Sequence, residues 1–306
     1  MPCYRPVPGF QDRPGLPLVF SRAQAVSSQV RPVSVPCNGC VGCYLERARQ
    51  WAMRCTDEAS LYRDNSFVTL TFDDVHLKKR GRGLDHRDFQ LFMKRLRKFI
   101  GGQMVRFFMC GEYGELYGRP HYHGLLFNLG FPDRVYLKTT KSGEKIYRSP
   151  SLESNWEFGY SSVGDVTFGS AAYVARYHVK KSQGVVSKDH YVDKRTGELL
   201  PPEYIRMSRG SSARKTGGIG RGWFEKFKSD VYPRDVRVIK GVDTKPPRFY
   251  DALYEIESPD DFSMLKARRI RSVDRKDNSE SRLLVKEKVK LAQIASLSNS
   301  LEEIYK

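Results

Sequence analysis

Residues 103–114, QMVRFFMCGEYG, and residues 121–128, HYHGLLFN, are two aromatic and aliphatic runs joined by the turn-rich YGELYGRP of 113–120. Strand-forming side chains on either side of a Gly- and Pro-bearing connection predict an antiparallel hairpin. Upstream, Ser66–Phe72 alternates Val68, Leu70 and Phe72 against Thr69 and Thr71, which predicts a further strand of the same sheet. Helices are expected around it. Leu45, Ala48, Trp51, Ala52, Cys55 and Ala59 recur at three and four, the spacing of a one-sided helix with Cys55 in its buried stripe. Asp85 is placed to cap a helix whose Phe89, Phe92, Met93, Leu96 and Phe99 share one face and which stops at Gly101-Gly102. Two short strands are expected around Trp156–Tyr160 and Val163–Phe168, then a helix over 169–182 with Ser170 as its N-cap. The expected fold class is α+β, a central antiparallel sheet with flanking helices.

The 306-residue chain carries 53 Lys and Arg against 35 Asp and Glu, a formal net charge of +18 spread along its length. That balance makes a polyanion the default partner, and aromatic residues at 12% supply stacking surfaces for unpaired bases. No stretch approaches the roughly 18 apolar residues of a membrane span, and the N-terminus lacks the apolar run of a secretory leader. A membrane role is therefore not expected, and the expected location is cytoplasmic. Nothing resembles GxxxxGK[ST], so nucleotide hydrolysis is not indicated, although the loop Gly217–Gly222 has glycines enough to approach phosphates.

Alternate side chains of a strand share a face, so His121 and His123 project together while Tyr122 points into the core. Two imidazoles on one face can chelate one metal ion, and the same pattern also fits two surface histidines. A third, oxygen ligand is expected from the neighbouring strand. Glu112 is best placed and Glu115 in the turn is second. Asp73 and Asp74, at the end of the first strand, fit a turn better than a metal.

Tyr173 and Tyr177 are four apart and share a helical face, with Arg176 three after the first and Lys180 three after the second. A phenol with a pKa near 10 is a poor nucleophile at neutral pH. A nearby cation and a metal-bound phosphate favour its anion and its attack. Half-buried packing is the plain alternative for both rings.

Cys37, Cys40 and Cys43 form a CxxCxxC run with Cys3 upstream. Six cysteines in a cytosolic chain do not suggest a disulfide framework. A four-cysteine zinc site pinning the N-terminal arm, a set of buried reduced thiols, and an iron–sulfur cluster all fit the spacing. Cys110, within a strand, reads as core.

The order FVTLTF, RPHYHGLLF, YVARYHVKK resembles the HUH endonucleases, in which a His-hydrophobic-His strand precedes a helix bearing one or two catalytic tyrosines. Within them the chain resembles the rolling-circle replication initiators of small single-stranded DNA phages, the gokushovirus type of the Microviridae. There CxxCxxC, an Arg- and Trp-bearing helix, a GEYG strand and a GIGRGW-like loop also recur, here at Cys37–Cys43, Arg49–Arg54, Gly111–Gly114 and Gly218–Trp223. The resemblance covers roughly residues 37–228.

It implies an endonuclease with ligase-like strand transfer. His121, His123 and Glu112 would hold Mg²⁺ or Mn²⁺, and Tyr177 and Tyr173 would take turns as nucleophiles, Tyr177 first. Lys180 would steady the phenolate, with Arg176 and Lys181 on DNA phosphates. The partners implied are single-stranded origin DNA and host helicase and polymerase, in the cytoplasm of a host bacterium. The implied organisation is an N-terminal arm with the cysteine segment and a helix (1–56), an HUH nicking domain (57–185) and a basic accessory region with a C-terminal helix (186–306). The rivals are a non-enzymatic basic protein that coats or packages single-stranded DNA, and a relaxase or transposase of the same superfamily.

Overall fold

The computed structural model describes residues 3–11, 17–24, 30–114, 118–140, 143–180, 191–193, 196–210, 217–239, 241–274 and 276–301. The side chains of 177–180 and 297–301 lie outside that description. The N-terminal arm holds an antiparallel pair, β1 (Val7–Gln11) and β2 (Arg31–Val35), with Gly9 opposite Val33. Helix α1 (Val41–Ala59) follows, then β3 (Asn65–Phe72), α2 (Asp74–Arg80) and α3 (His86–Phe99). The expected hairpin is β4 (Arg106–Tyr113) against β5 (Pro120–Phe127). After it come β6 (Val135–Thr139), β7 (Lys145–Arg148), α4 (Pro150–Asn155), β8 (Gly159–Gly164), α5 (Phe168–Lys180) and β9 (Tyr204–Met207).

Among the described residues these strands make one antiparallel sheet of seven, ordered β6-β7-β8-β3-β5-β4-β9. The α+β architecture expected from the sequence is the one observed. The period of two sorts side chains onto two covered faces. One face carries Val68, Leu70, Phe72, Met109, Tyr122 and Leu126, packed against Phe89, Phe92, Met93 and Leu96 of α3. Gly124 has to lack a side chain there, since a Cβ would lie 3.3 Å from Val68 and 3.4 Å from the Phe89 ring.

The other face carries Phe67, Phe108, Cys110, Leu125 and Phe127, covered by Ala48, Ala52, Cys55 and Ala59 of α1 and by Ala171, Val174 and Ala175 of α5. Small residues on both helices let their axes approach closely. That close fit seats α5 down on the sheet, and burial of Val174 alone contributes about 1.5–3 kcal/mol.

Three local expectations are corrected. The stretch around Trp156–Phe168 holds one strand, not two. Trp156 ends the short α4, fully buried between Phe72 and Phe92, and its Nε1 donates to the Thr71 carbonyl at 3.1 Å. Phe168 opens α5, and the cap of that helix is Thr167. Its Oγ1 accepts the Ser170 N–H at 3.1 Å while Ser170 Oγ accepts the Thr167 N–H at 2.8 Å, a reciprocal box in which Ser170 is the inner partner. Asp73 and Asp74, expected in a turn, instead open α2, with Asp73 as its cap accepting the His76 N–H at 2.7 Å.

Beyond the sheet, α6 (Arg221–Val231), the pair β10 (Arg237–Ile239) and β11 (Val242–Thr244), α7 (Arg248–Glu257) and α8 (Pro259–Arg271) precede α9 (Glu280–Leu301). Trp223, Phe224, Tyr232, Tyr250, Phe262 and Leu265 build a second small core. Two buried acids of α1 tie it to the first. Asp57 receives the Arg237 guanidinium at 2.7 Å and the Tyr250 hydroxyl at 2.9 Å, and burial raises its carboxyl above the usual range despite Arg237. Glu58 takes Arg106 at 2.7 Å and the Gly220 N–H at 2.8 Å. Arg54 and Arg106 hold the carbonyls of Ile219 and Gly217. The glycine loop is therefore a docking loop for α1. Its Gly220 N–H is committed to Glu58, and its Gly217 and Ile219 carbonyls to two arginines.

Candidate active site

The β4–β5 register sets Glu112 directly opposite His121, and His123 between Cys110 on one side and Thr69 of β3 on the other. All project to the face that α1 and α5 cover. Oε1 of Glu112 lies 2.6 Å from Nε2 of His121 and 2.8 Å from Nε2 of His123, and accepts the Tyr173 hydroxyl at 3.1 Å. The Tyr173 oxygen is also 3.5 Å from His123 Nε2. Tyr173 comes from the half-buried side of α5, one position before Val174 in the buried stripe.

Each imidazole is oriented through its other nitrogen. Nδ1 of His121 sits 3.0 Å from the Arg119 carbonyl and Nδ1 of His123 sits 2.9 Å from Thr69 Oγ1. An N–H at each Nδ1 satisfies those oxygens and turns both Nε2 lone pairs toward Glu112. Two lone pairs and a carboxylate converging in a buried place repel unless a cation stands among them, either protons on the rings or a metal ion. Phe67 braces the group, its ring stacked on His123 at 5.5 Å and edge-on to Tyr173 at 6.5 Å.

The electrostatics follow. Burial alone would raise the Glu112 carboxyl, but His121 and His123 outweigh it and hold it at about 2. Burial likewise opposes protonation of His121, yet the Glu112 charge raises it above the usual imidazole value. The three ligand atoms lie within 4.8 Å of one another. Glu112 Oε2 is buried and has no hydrogen-bond partner among the described residues, so the carboxylate has capacity left for a ligand. Two imidazoles and a carboxylate are compatible with a divalent metal.

The residues singled out from sequence divide as follows. Glu112, His121, His123 and Tyr173 meet. Arg176 is exposed on α5. Tyr177 and Lys180 belong to the same helix, but their side chains, like Lys181 and Glu115, lie outside the described residues. Cys3, Cys37, Cys40 and Cys43 come together at a separate place. Asp74 receives Arg119, whose Nη1 donates to the Phe72 carbonyl at 2.7 Å, so this acid pins the strand that carries the histidines. Thr69 and Phe67 were not singled out. Only the β3–β5 register reveals that their face is the histidine face.

The family described as replication-associated protein ORF2/G2P matches residues 65–182. The chain is similar to replication-associated protein VP4 of Bdellovibrio phage phiMH2K, 32% identical over 268 residues, 85% of this chain and 79% of that protein. It belongs to the phage replication-associated proteins. Replication-associated protein ORF2 of Spiroplasma virus 4 is 34% identical over 240 residues, 75% of this chain and 70% of its own length. No solved structure matches this replication-associated protein. Membership agrees with the resemblance to small-phage replication initiators drawn from its motifs. Among its described residues no helix is long and apolar enough to cross a membrane.

The matched span runs from β3 through α5 and holds every strand of the sheet but β9, and the ligand trio and Tyr173 lie within it. A cavity of about 580 Å³ lined in part by Arg97, Arg106, Arg206 and Arg209 opens at the other end of β4. Six residues of strand separate Arg106 from Glu112, about 20 Å.

Proposed function

We propose that this replication-associated protein is a metal-dependent HUH endonuclease that nicks and rejoins single-stranded origin DNA in rolling-circle replication of a phage genome. The observation that carries the reading is the Tyr173 hydroxyl, held against Glu112 and His123 in a buried cluster whose carboxylate keeps an unpartnered oxygen. A phenol fixed there is a positioned nucleophile, and positioning is the main contribution a protein makes to phosphoryl transfer.

The Tyr173 oxygen attacks the scissile phosphorus, forming a P–O bond to the phenol as the bond to the 3′ oxygen breaks. The phenolic proton goes to solvent and the 3′ oxygen takes one up, leaving a 5′-phosphotyrosine and a free 3′-hydroxyl for a polymerase. Attack by a 3′-hydroxyl on the phosphotyrosine reverses the step. The ester keeps the phosphodiester free energy, so joining needs no nucleotide cofactor. Glu112, His121 and His123 would hold Mg²⁺ or Mn²⁺, which when bound polarises a phosphate oxygen. Thr69 and the Arg119 carbonyl hold the imidazoles in place.

Tyr177, one helical turn on, is the second nucleophile in this scheme, with Lys180 three residues after it in sequence as its cation and Arg176 and Lys181 on DNA phosphates. The sequence favours Tyr177 for the first attack; the surroundings of Tyr173 support the opposite order. In this scheme residues 57–185 hold the nicking chemistry, flanked by the arm (1–56) and the accessory region (186–306), while α1 and β9 of those flanks complete the layers around the sheet; helicase and polymerase are supplied in the host cytoplasm.

The test is a denaturation-resistant protein–DNA adduct formed with an origin oligonucleotide and Mn²⁺. Wild type should form it, Tyr173→Phe should lose the first-round adduct, and the double variant with Tyr177→Phe should form none. An adduct that persists in the double variant, or none from wild type on any viral single strand, overturns the tyrosine chemistry.

A further inference from the structure

The four cysteines that converge away from the histidines carry a second assignment, independent of the nicking chemistry. The geometry points to a closed site in which Cys3, Cys37, Cys40 and Cys43 bind one zinc ion and staple the N-terminal arm to the start of α1.

The sulfur spacing selects the species. Sγ–Sγ separations are 3.7 Å for Cys3–Cys37, 3.6 Å for Cys40–Cys43, 3.9 Å for Cys3–Cys40 and 4.0 Å for Cys37–Cys43. A disulfide needs about 2.05 Å. A tetrahedron with Zn–S bonds of about 2.3 Å has edges of about 3.8 Å, which the four separations bracket. An iron–sulfur cluster spreads its thiolates over several irons and holds them farther apart, so one central ion fits and a cluster does not.

The surroundings suit thiolates. Backbone N–H groups donate to sulfur from Tyr4 to Cys40 at 3.3 Å, from Cys37 to Cys3 at 3.3 Å, and from Gly39 and Cys40 to Cys37 at 3.4 and 3.2 Å. Cys40 is the N-cap of α1 yet makes no side-chain cap bond, so its sulfur is directed elsewhere. The positive end of a 19-residue helix adds to the stabilisation of negative sulfur. On binding, each thiol gives its proton to solvent as its S–Zn bond forms. Cys3, Cys40 and Cys43 are buried, which leaves no open position for a substrate and makes the site structural.

Its mechanical reach is long. Cys3 brings Arg5 within 2.9 Å of Glu287, a buried acid on α9, so the staple gathers the arm, α1 and the C-terminal helix. Helix α1 in turn backs α5, which carries Tyr173.

Metal analysis of the full-length protein purified without chelators should find one zinc per chain, unchanged in Glu112→Gln and lost in Cys37→Ser and Cys40→Ser. Should those variants not fold, the wild type answers through thiol titration under native conditions. Extracting the metal should expose the four site thiols to a thiol reagent while Cys55 and Cys110, fully buried, stay protected. Cobalt added to the extracted protein should give the absorption of a tetrahedral thiolate complex. Metal-free wild type, iron in place of zinc, zinc retained after Cys40→Ser, or zinc lost in Glu112→Gln would each overturn the assignment.

Discussion

Two ligand clusters, one at the N-terminal start of α1 and one on the sheet face that α1 and α5 cover, differ in their chemistry. The cysteine cluster is soft, four-cornered and ringed by backbone N–H groups that donate to its sulfurs. The cluster of Glu112, His121 and His123 is hard, three-cornered, retains an unpartnered carboxylate oxygen among the described residues, and has a tyrosine hydroxyl 3.1 Å from its carboxylate. A structural site uses up every position; a catalytic one keeps a place for substrate. On the proposed assignments, ligand type and completeness separate a fastening from a reaction centre more surely than the mere grouping of metal-binding side chains.

The largest effect that tests this contrast is expected from Glu112→Gln. Loss of a ligand should cost Mn²⁺ binding and adduct formation more than the 10- to 100-fold typical of an outer-shell partner, while the cysteine site keeps its metal. Calorimetric titration with Mn²⁺ alongside the adduct assay checks both halves. Thr69→Val should fall within that outer-shell range, about 10- to 100-fold weaker Mn²⁺ binding, because His123 loses the oxygen that orients its ring.

Helices α1 and α5 pack on each other over the histidine face of the sheet. Ala52→Leu pushes extra methylenes into a fully buried, close-packed seam and should destabilise the fold by about 1–3 kcal/mol in chemical denaturation. If α1 transmits position, adduct formation should drop further than the folded fraction does; equal losses would sever the link.

The smallest effect is in pH. Glu112 is depressed to about 2, so its contribution to stability is complete above the ordinary carboxylate value near 4.5 and is lost as pH falls toward 2. His121 is raised, so its contribution is complete below its unfolded value near 6.5 and disappears as pH climbs through its higher folded value. Metal-free protein should therefore lose thermal stability at both ends, and Glu112→Gln should flatten both limbs. A metal ion competes with the His121 proton, so Mn²⁺ affinity should rise over the same upper interval.

Much of this was legible in the sequence because it depended on short-range rules. Alternation and turn residues located the β4–β5 hairpin, put Tyr122 in the core, and nominated Glu112 from strand pairing. Asp85 announced α3. The parts that stayed hidden lack such a signal. Strand β6 is exposed along its whole length and lacks the apolar–polar alternation of a half-buried strand. Trp156 has β-forming character, yet finishes a helix because the pocket between Phe72 and Phe92 takes its ring. Thr167 and Ser170 can each cap a helix, and the start of α5 decides between them. Glu58 finds its partner, Gly220, 162 residues away, a pairing no local pattern encodes.

By itself the sequence determined the period of each central strand, hence the common face of His121 and His123, and the order of motifs that identifies the family. It also determined the CxxCxxC spacing. Only the tertiary structure decided that Tyr173 reaches Glu112, that Thr69 and Phe67 hold His123, and that Cys3 closes the cysteine cluster from 34 residues away. The physical reason is one of range. Backbone geometry dictates which side chains share a face within a few residues, whereas contacts across the chain depend on how closely packed layers meet, here on the small residues that let α5 settle beside α1.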